Sequence, residues 1–469
     1  MARNLTRNTK LYISNQGTIG SCTSANTWEV KILDGYSFSQ PTTTEDITID
    51  EAGSTPIRGQ KTFNIAQEPV DVSLGTYIRP YDNNASIIDA PERILWLSLS
   101  SRLATVLNAN GDNVDTTAGN GSGIEQRASG TGDSTSDGMR VDFEESDSNE
   151  LGKLTMWFHL ENSTYRVDNV NISTAEIDFA IDGIAMINWT GQGTTLTELP
   201  ATGSGSHATI AAWVAGVGGT DDYRAVPATT SDSFLRNKLS TMTLVNTQTS
   251  SVKHYSSQVA TGGSTTTLTD TGELFITDAL IANGDYIVNE TTTETAVIQS
   301  FTEDTITIEG TWTAPTTDTY SIIDSTLDAA QSYTIAITGG NLTVENNMSF
   351  LTPEELGVVN QPLPGFAGSR AINGTVTAYL DTGFYGTAAL LQDALDAINS
   401  VTNSYNFTLH IGGISTAVKR VEIQMPTAQI SVPTVNVEDV IATEITFAGQ
   451  GSGGLLENQD ELLVTYHSD

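Results

Sequence analysis

Apolar and polar residues alternate along much of this chain with the two-residue period of a strand that has one buried face. Asp46-Ile-Thr-Ile-Asp50, Val70-Asp-Val-Ser-Leu74, Lys153-Leu-Thr-Met-Trp-Phe-His-Leu160 and Thr305-Ile-Thr-Ile-Glu309 all carry the pattern, and each predicts a half-buried strand. A helical period is clear in only two segments, Ala90 to Ala104 and Thr387 to Ser400, each shortly after a strand. Gly, Asn, Asp and Ser clusters separate the strands as turns. The pattern predicts a mainly β fold with two short helices.

The strands also recur in order. Arg7-Asn-Thr-Lys-Leu-Tyr-Ile13 is matched by Arg236-Asn-Lys-Leu-Ser-Thr-Met-Thr-Leu-Val245. An aromatic-led segment read as a hairpin, Trp28 to Phe38, is matched by Tyr333 to Val344. Val72-Ser-Leu-Gly-Thr-Tyr-Ile78 answers Ile372-Asn-Gly-Thr-Val-Thr-Ala-Tyr-Leu380, and each precedes one of the two helices. A strand follows each helix, Leu154 to Leu160 and Phe407 to Ile411. The closing segments, Tyr165-Arg-Val to Ile187-Asn-Trp-Thr-Gly-Gln-Gly193 and Lys419-Arg-Val to Ile445-Thr-Phe-Ala-Gly-Gln-Gly451, agree best. Six matches in one order predict two tandem β-sandwich or barrel domains, each with a flanking helix. The first covers 1–200 and the second 232–249 with 325–469, joined by a linker or arm at 201–231. The second copy is interrupted by 250–324, whose own strand signals predict a small inserted β module on an outer surface. Two polar stretches, Asn108 to Glu150 and Pro200 to Ser231, read as long loops or subunit-contact arms.

Charge narrows the function. Among 469 residues, 56 Asp and Glu oppose 20 Lys and Arg, a formal net charge of −36. No basic footprint is present to neutralise phosphates, so a protein that grips nucleic acid is not expected. The single cysteine, Cys22, excludes an intrachain disulfide framework and a Cys-rich zinc site. The basic start from Met1 to Lys10 is not followed by an apolar stretch, and no run of about 18 apolar residues occurs, so neither a signal peptide nor a membrane helix is expected. Catalysis has little support. His159, His207, His254, His410 and His467 are dispersed, and no His-Glu-x-x-His, Gly-x-Ser-x-Gly or Gly-Lys-Ser/Thr motif occurs. The expectation is a protein that is not an enzyme, with no cofactor and no metal.

What does stand out is acid on strands. In Ala175-Glu-Ile-Asp-Phe-Ala-Ile-Asp-Gly183, alternation sets Glu176, Asp178 and Asp182 against Ile177, Phe179 and Ile181. Acid also clusters near Glu45, Asp46, Asp50 and Glu51, and near Glu438, Asp439 and Glu444. Glu176, Asp178, Asp182 and Glu438 are the candidate functional carboxylates.

At this point the chain resembles the tail tube (major tail) proteins of long-tailed bacteriophages. The likeness rests on Trp28 to Gln40 with its Leu-Asp-Gly-Tyr-Ser-Phe-Ser-Gln, Gly53-Ser-Thr-Pro56, Phe63-Asn-Ile and Thr76-Tyr-Ile-Arg-Pro80. In the second copy it rests on Leu351-Thr-Pro-Glu-Glu-Leu-Gly357, Met425-Pro-Thr-Ala-Gln429 and Asn436-Val-Glu-Asp-Val440. The resemblance implies a structural virion protein, assembled in the host bacterial cytoplasm, that self-associates into rings stacked as a tube for DNA ejection. A duplicated tube domain implies a homotrimer with pseudo-sixfold symmetry, with a hexamer as the alternative. It further implies DNA and a tape measure protein in the lumen, a tail terminator and baseplate or tip proteins at the ends, and room for a sheath. The four candidate acids are then lumen-lining, since a carboxylate wall repels phosphates that a basic wall would hold. The competing reading is a secreted or surface β-sandwich adhesin or carbohydrate-binding protein of similar composition.

Overall fold

The computed structural model describes residues 9–15, 19–20, 22, 27–50, 58–83, 87–90, 92–100, 123–126, 138–143, 151–161, 163–199, 209–210, 224–225, 234–246, 253–277, 281–323, 332–356, 359–381, 386–396, 404–413, 419–437, 441–451 and 461–467. The fold is mainly β, as the alternation predicts, with helices at Arg93–Ser100 and Thr387–Asp396. The chain divides into two compact units. One comprises Met1–Met242, Ile335–Leu380 and Phe407–Asp469, and the other Thr243–Thr334 and Asp381–Asn406.

The first unit is organised by one long strand, Ser163–Asp178. Its first half lies between Leu154–Leu160 and Thr195–Leu199. Its second half lies between Met186–Gly193 and Ile337–Glu345. The switch coincides with a register shift between Ile172 and Thr174 and with Asn169 at a positive φ of 51°. Bulges of this kind bend a strand and let it leave one sheet for another. The sheet that contains the second half runs from Ser37–Ser39 through Val70–Tyr77, Met186–Gly193, Thr174–Asp178, Ile337–Glu345, Ala371–Tyr379 and Ile441–Gln450 to Arg420–Ile430. It continues through Leu463–His467 and Gly138–Asp142 to Gly123–Gln126. Every step is antiparallel.

Three local expectations are corrected. Trp28 to Phe38 is not a hairpin, because Thr27–Val30 pairs with Thr9–Asn15 whereas Ser37–Ser39 pairs with Val70–Tyr77. The turn at Gly35, with φ of 94°, redirects the chain between them. Leu154–Leu160 is buried from Leu154 to His159 instead of alternating, so both of its faces are covered. Within the polar stretch Asn108 to Glu150, Gly123–Gln126 and Gly138–Asp142 are ladder strands that pair with each other, and Gly138–Asp142 pairs in addition with Leu463–His467 from the far end of the chain. The remainder of that stretch, and most of Pro200 to Ser231, lie outside the described residues.

The second unit contains a sheet ordered Lys253–Val259, Thr319–Ile323, Tyr286–Asn289, Glu294–Phe301, Thr305–Ile308, Thr267–Thr269 and Gly262–Ser264. It encloses its own apolar cluster, with Leu268, Phe275, Ile287, Ile298, Ile306, Tyr320 and Ile322 buried. The Tyr320 hydroxyl donates to Asp270 Oδ2 at 2.9 Å, which satisfies both groups away from water.

Glycine sets the closeness of the ladder in the first unit. A Cβ on Gly374 would fall on the Asn341 carbonyl and on the Phe447 ring, which meets Phe407 at a tilt of 31° and 4.4 Å between centroids. The backbone cannot yield without breaking the pairing of Asn341 with Thr375. Gly374→Ala is therefore expected to cost about 1–3 kcal/mol by overpacking. A lower denaturant midpoint with an unchanged m-value would show it.

Candidate functional site: a polar sheet face

The strands from Ser37–Ser39 to Arg420–Ile430 share one dry and one wet face. On Val70–Tyr77, Val72, Leu74 and Thr76 are buried while Asp71 and Ser73 are exposed. On Met186–Gly193, Ile187 and Trp189 are buried while Asn188 and Thr190 are exposed. Ala371–Tyr379 and Ile441–Gln450 repeat the scheme, with Ile372, Val376, Ile445 and Phe447 inward and Asn373, Glu444 and Thr446 outward. Hydroxyls and amides dominate the wet face.

Its charge has one sign. Ser37–Ser39, Val70–Tyr77, Thr174–Asp178, Met186–Gly193, Ile337–Glu345, Ala371–Tyr379, Thr427–Ile430 and Ile441–Gln450 contain no Lys, Arg or His. Their acids, Asp71, Glu176, Asp178, Glu345 and Glu444, all lie on the wet face, half-buried or exposed. Cross-strand register keeps them apart. Glu176 lies opposite Asn188 and Thr343, and Asp178 opposite Met186 and Asn341. Glu345 lies opposite Thr174 and Ala371, and Glu444 opposite Thr377 and Thr434. Asp71 lies opposite Gln192, whose amide donates to it at 2.7 Å. Like charges set directly opposite destabilise a sheet, and here each carboxylate faces a neutral neighbour.

Of the four candidate acids, Glu176 and Asp178 sit on this face, with Ile177 and Phe179 buried behind them. Asp182 does not continue the series. The strand ends at Asp178, the Gly183 amide turns back to the Ala180 carbonyl at 3.0 Å, and Ile181 is 42% exposed instead of buried. Glu438 lies outside the described residues. The reading by alternation passed over Asp71 and Glu345; Asp71 was legible inside the Val70 to Leu74 pattern. Nor are all the histidines dispersed. His467 Nε2 lies 3.3 Å and His410 Nδ1 3.8 Å from Glu422 Oε2. The contact with His467 holds the Glu422 carboxyl below its usual range, while burial lowers His410. Among the described residues no group of His, Cys, Asp and Glu is arranged to hold a metal ion.

Behind the dry face lies a buried polar chain. The helix Arg93–Ser100 is fully buried and packs on Ser163–Asp178. Trp96 meets Trp189 edge-on at 5.0 Å and donates from its indole to the Tyr466 hydroxyl at 2.7 Å. Tyr466 in turn donates to Glu92 Oε1 at 2.8 Å. Asn346, from the strand end after Ile337–Glu345, donates to the Leu99 carbonyl at 2.8 Å. Trp189, Asn346 and Tyr466, far apart in the chain, thus hold the helix against the sheet. Glu92 is completely buried, and desolvation pushes its carboxyl up to about 7 despite the Tyr466 hydrogen bond and the Arg79 charge.

No family model matches the chain. Among curated proteins, it is 24% identical over 449 residues to the tail tube protein pb6 of Escherichia phage T5, across 95% of this chain and 72% of that protein. The chain is a homologue of a phage tail tube protein. The relation extends over nearly the whole sequence, so it includes the polar face and the core behind it. It supports a structural role in a phage tail tube and a place in the virion tail, and it speaks for a structural protein over an enzyme.

The buried acid makes this tail tube homologue sensitive to pH. Glu92 binds its proton more tightly in the folded than in the unfolded chain, so its contribution to stability is present below about pH 4.5 and is lost as pH rises through about 7. The span of about 2.5 units corresponds to roughly 3 kcal/mol. Glu92→Gln, which keeps an acceptor for Tyr466, is expected to flatten the decline in denaturant stability between pH 5 and pH 8. An unchanged slope would assign the decline to other groups.

Proposed function

We propose that the chain polymerises as stacked rings into a phage tail tube, with the polar sheet face lining a negatively charged conduit for DNA ejection. One observation carries the reading. Eight adjacent antiparallel strands bury one face and present on the other five carboxylates, many hydroxyls and amides, and no base. Each Lys or Arg on a phosphate releases counterions and gains affinity, which is friction for a moving duplex. A neutral and acidic wall leaves the duplex hydrated and unbound.

Strand number bears on stoichiometry. About eight strands close into a barrel that side chains fill, whereas about 16–18 leave an aqueous channel. One chain cannot enclose a duplex, and several must share the wall. The run Ser37–Ser39, Val70–Tyr77, Met186–Gly193, Thr174–Asp178 is followed by Ile337–Glu345, Ala371–Tyr379, Ile441–Gln450, Thr427–Ile430. Strands that match in sequence occupy matching places in the two runs. This favours a duplicated tube domain and a homotrimer of pseudo-sixfold symmetry over a ring of six chains.

A ribbon made of Thr42–Asp50 and Arg58–Gln67 suits contact between rings. Both of its described faces are exposed, Phe63 by 43% and Ile65 by 39%, and an isolated two-stranded ribbon is marginal in water. Asn360 anchors its base, accepting from the Gln67 amide at 2.8 Å and donating to the Ile65 carbonyl at 3.2 Å. The module within 250–324 is assigned to the outer surface, as a self-contained apolar cluster allows. A tape measure protein and DNA would share the lumen, and terminator and tip proteins would cap the ends.

Purified protein is expected to form tubes whose averaged cryo-EM end views show three chains and six similar inner segments. Six complete chains per ring would overturn the trimer. Replacing Glu176, Asp178 and Glu345 together by Lys should leave assembly intact but slow DNA delivery at low salt, with recovery as salt rises. Delivery at the ordinary rate in low salt would remove these side chains from the channel.

A further inference from the structure

Two sheet halves meet inside each chain along one ladder. Thr174 pairs with Glu345, Glu176 with Thr343 and Asp178 with Asn341. If the halves are copies of one domain, as the reading above holds and on which this inference rests, the joint has an equivalent at the outer edges of the pair.

Its register can be worked out. Ile187-Asn-Trp-Thr-Gly-Gln-Gly193 aligns with Ile445-Thr-Phe-Ala-Gly-Gln-Gly451, so Thr190 corresponds to Ala448 and Asn188 to Thr446. Thr174 lies opposite Thr190 and Gln429 opposite Ala448, which makes Gln429 the counterpart of Thr174. The Ser431 amide donates to the Thr446 carbonyl at 3.0 Å, which makes Ser431 the counterpart of Glu176. On the other edge, Ser39 lies opposite Asp71 and Glu345 opposite Ala371; Ser37 lies opposite Ser73 and Thr343 opposite Asn373. Ser39 and Ser37 are therefore the counterparts of Glu345 and Thr343. All four side chains, Ser37, Ser39, Gln429 and Ser431, are exposed.

We infer that neighbouring copies in a ring join through the Ser37–Ser39 edge of one chain and the Gln429 to Ser431 edge of the next, Ser39 opposite Gln429 and Ser37 opposite Ser431. The two joints then differ in charge. The joint within the chain carries Glu176, Asp178 and Glu345, three of the five acids of the face, whereas the joint between chains carries only hydroxyls and an amide. The difference has a physical reason. Repulsion across the internal joint is met by one covalent chain that holds its halves at high effective concentration, while repulsion across the external joint would oppose every encounter between free copies. The wall is sixfold in backbone but only threefold in charge, with acidic bands alternating with neutral seams.

The test uses the full chain. Ser39→Cys with Gln429→Cys, assembled and treated with a short thiol-to-thiol cross-linker, should give covalent oligomers up to ring size. Thr174→Cys with Glu345→Cys should cross-link within monomers, and the unaltered chain, with Cys22 alone, sets the background. Separately, Ser39→Glu with Gln429→Glu should weaken association at low salt about fivefold per joint, recovering as salt rises. Glu345→Gln should leave the salt dependence of assembly unchanged. Tubes that form normally with no cross-link between chains, or that tolerate the paired Glu substitutions at low salt, would overturn the joint and leave the tube standing. Failure of the unaltered protein to form rings or tubes would overturn both.

Discussion

The strand Ser163–Asp178 must satisfy its backbone twice over, because its two halves belong to different sheets. The first half closes the sheet around Leu154–Leu160, and the second carries the ladder to Ile337–Glu345. Were the strand straight, side chains that are inward in one half would remain inward only for the same sheet. The register shift at Ile172/Thr174 re-aims the chain so that Ala175 and Ile177 face the core while Glu176 and Asp178 face out. The buried helix, the Trp96–Tyr466–Glu92 chain and the one-sided charge of the sheet all rest on that bend.

Much of this was legible in the amino-acid order because alternation is a direct projection of burial. Val70 to Leu74 alternates in sequence and in accessibility, and Ile177 and Phe179 are buried as their spacing requires. The mainly β fold follows from the same signal spread over the chain, whereas the tail tube likeness rests on particular segments such as Trp28 to Gln40 and Met425 to Gln429. Glu176 and Asp178 were legible for that reason, and Glu345 was not, since the Gly-Gly-Asn run before it blurs the period.

Where the reading failed, the missing information was non-local. Nothing within Trp28 to Phe38 says that its halves will find partners in different sheets. Asp182 keeps the two-residue spacing after the strand has ended, because spacing along a sequence carries no mark of the last ladder bond. Gly123–Gln126 and Gly138–Asp142 sit in a Gly- and Ser-rich stretch whose β structure depends on Leu463–His467, more than three hundred residues away. Long-range pairing of this sort is paid for late in folding, after the intervening loops have closed.

The Ser37–Ser39 edge is only three residues long, exposed at both serines, and flanked by a turn. Short edges are a standard defence against indiscriminate strand addition. In the proposed ring, so small an edge means that any two free subunits would gain few backbone bonds by meeting. A preformed ring changes the balance by offering several contacts to an incoming subunit at once. On the proposed joint, growth on a template with slow spontaneous nucleation would be the kinetic consequence of that one short strand.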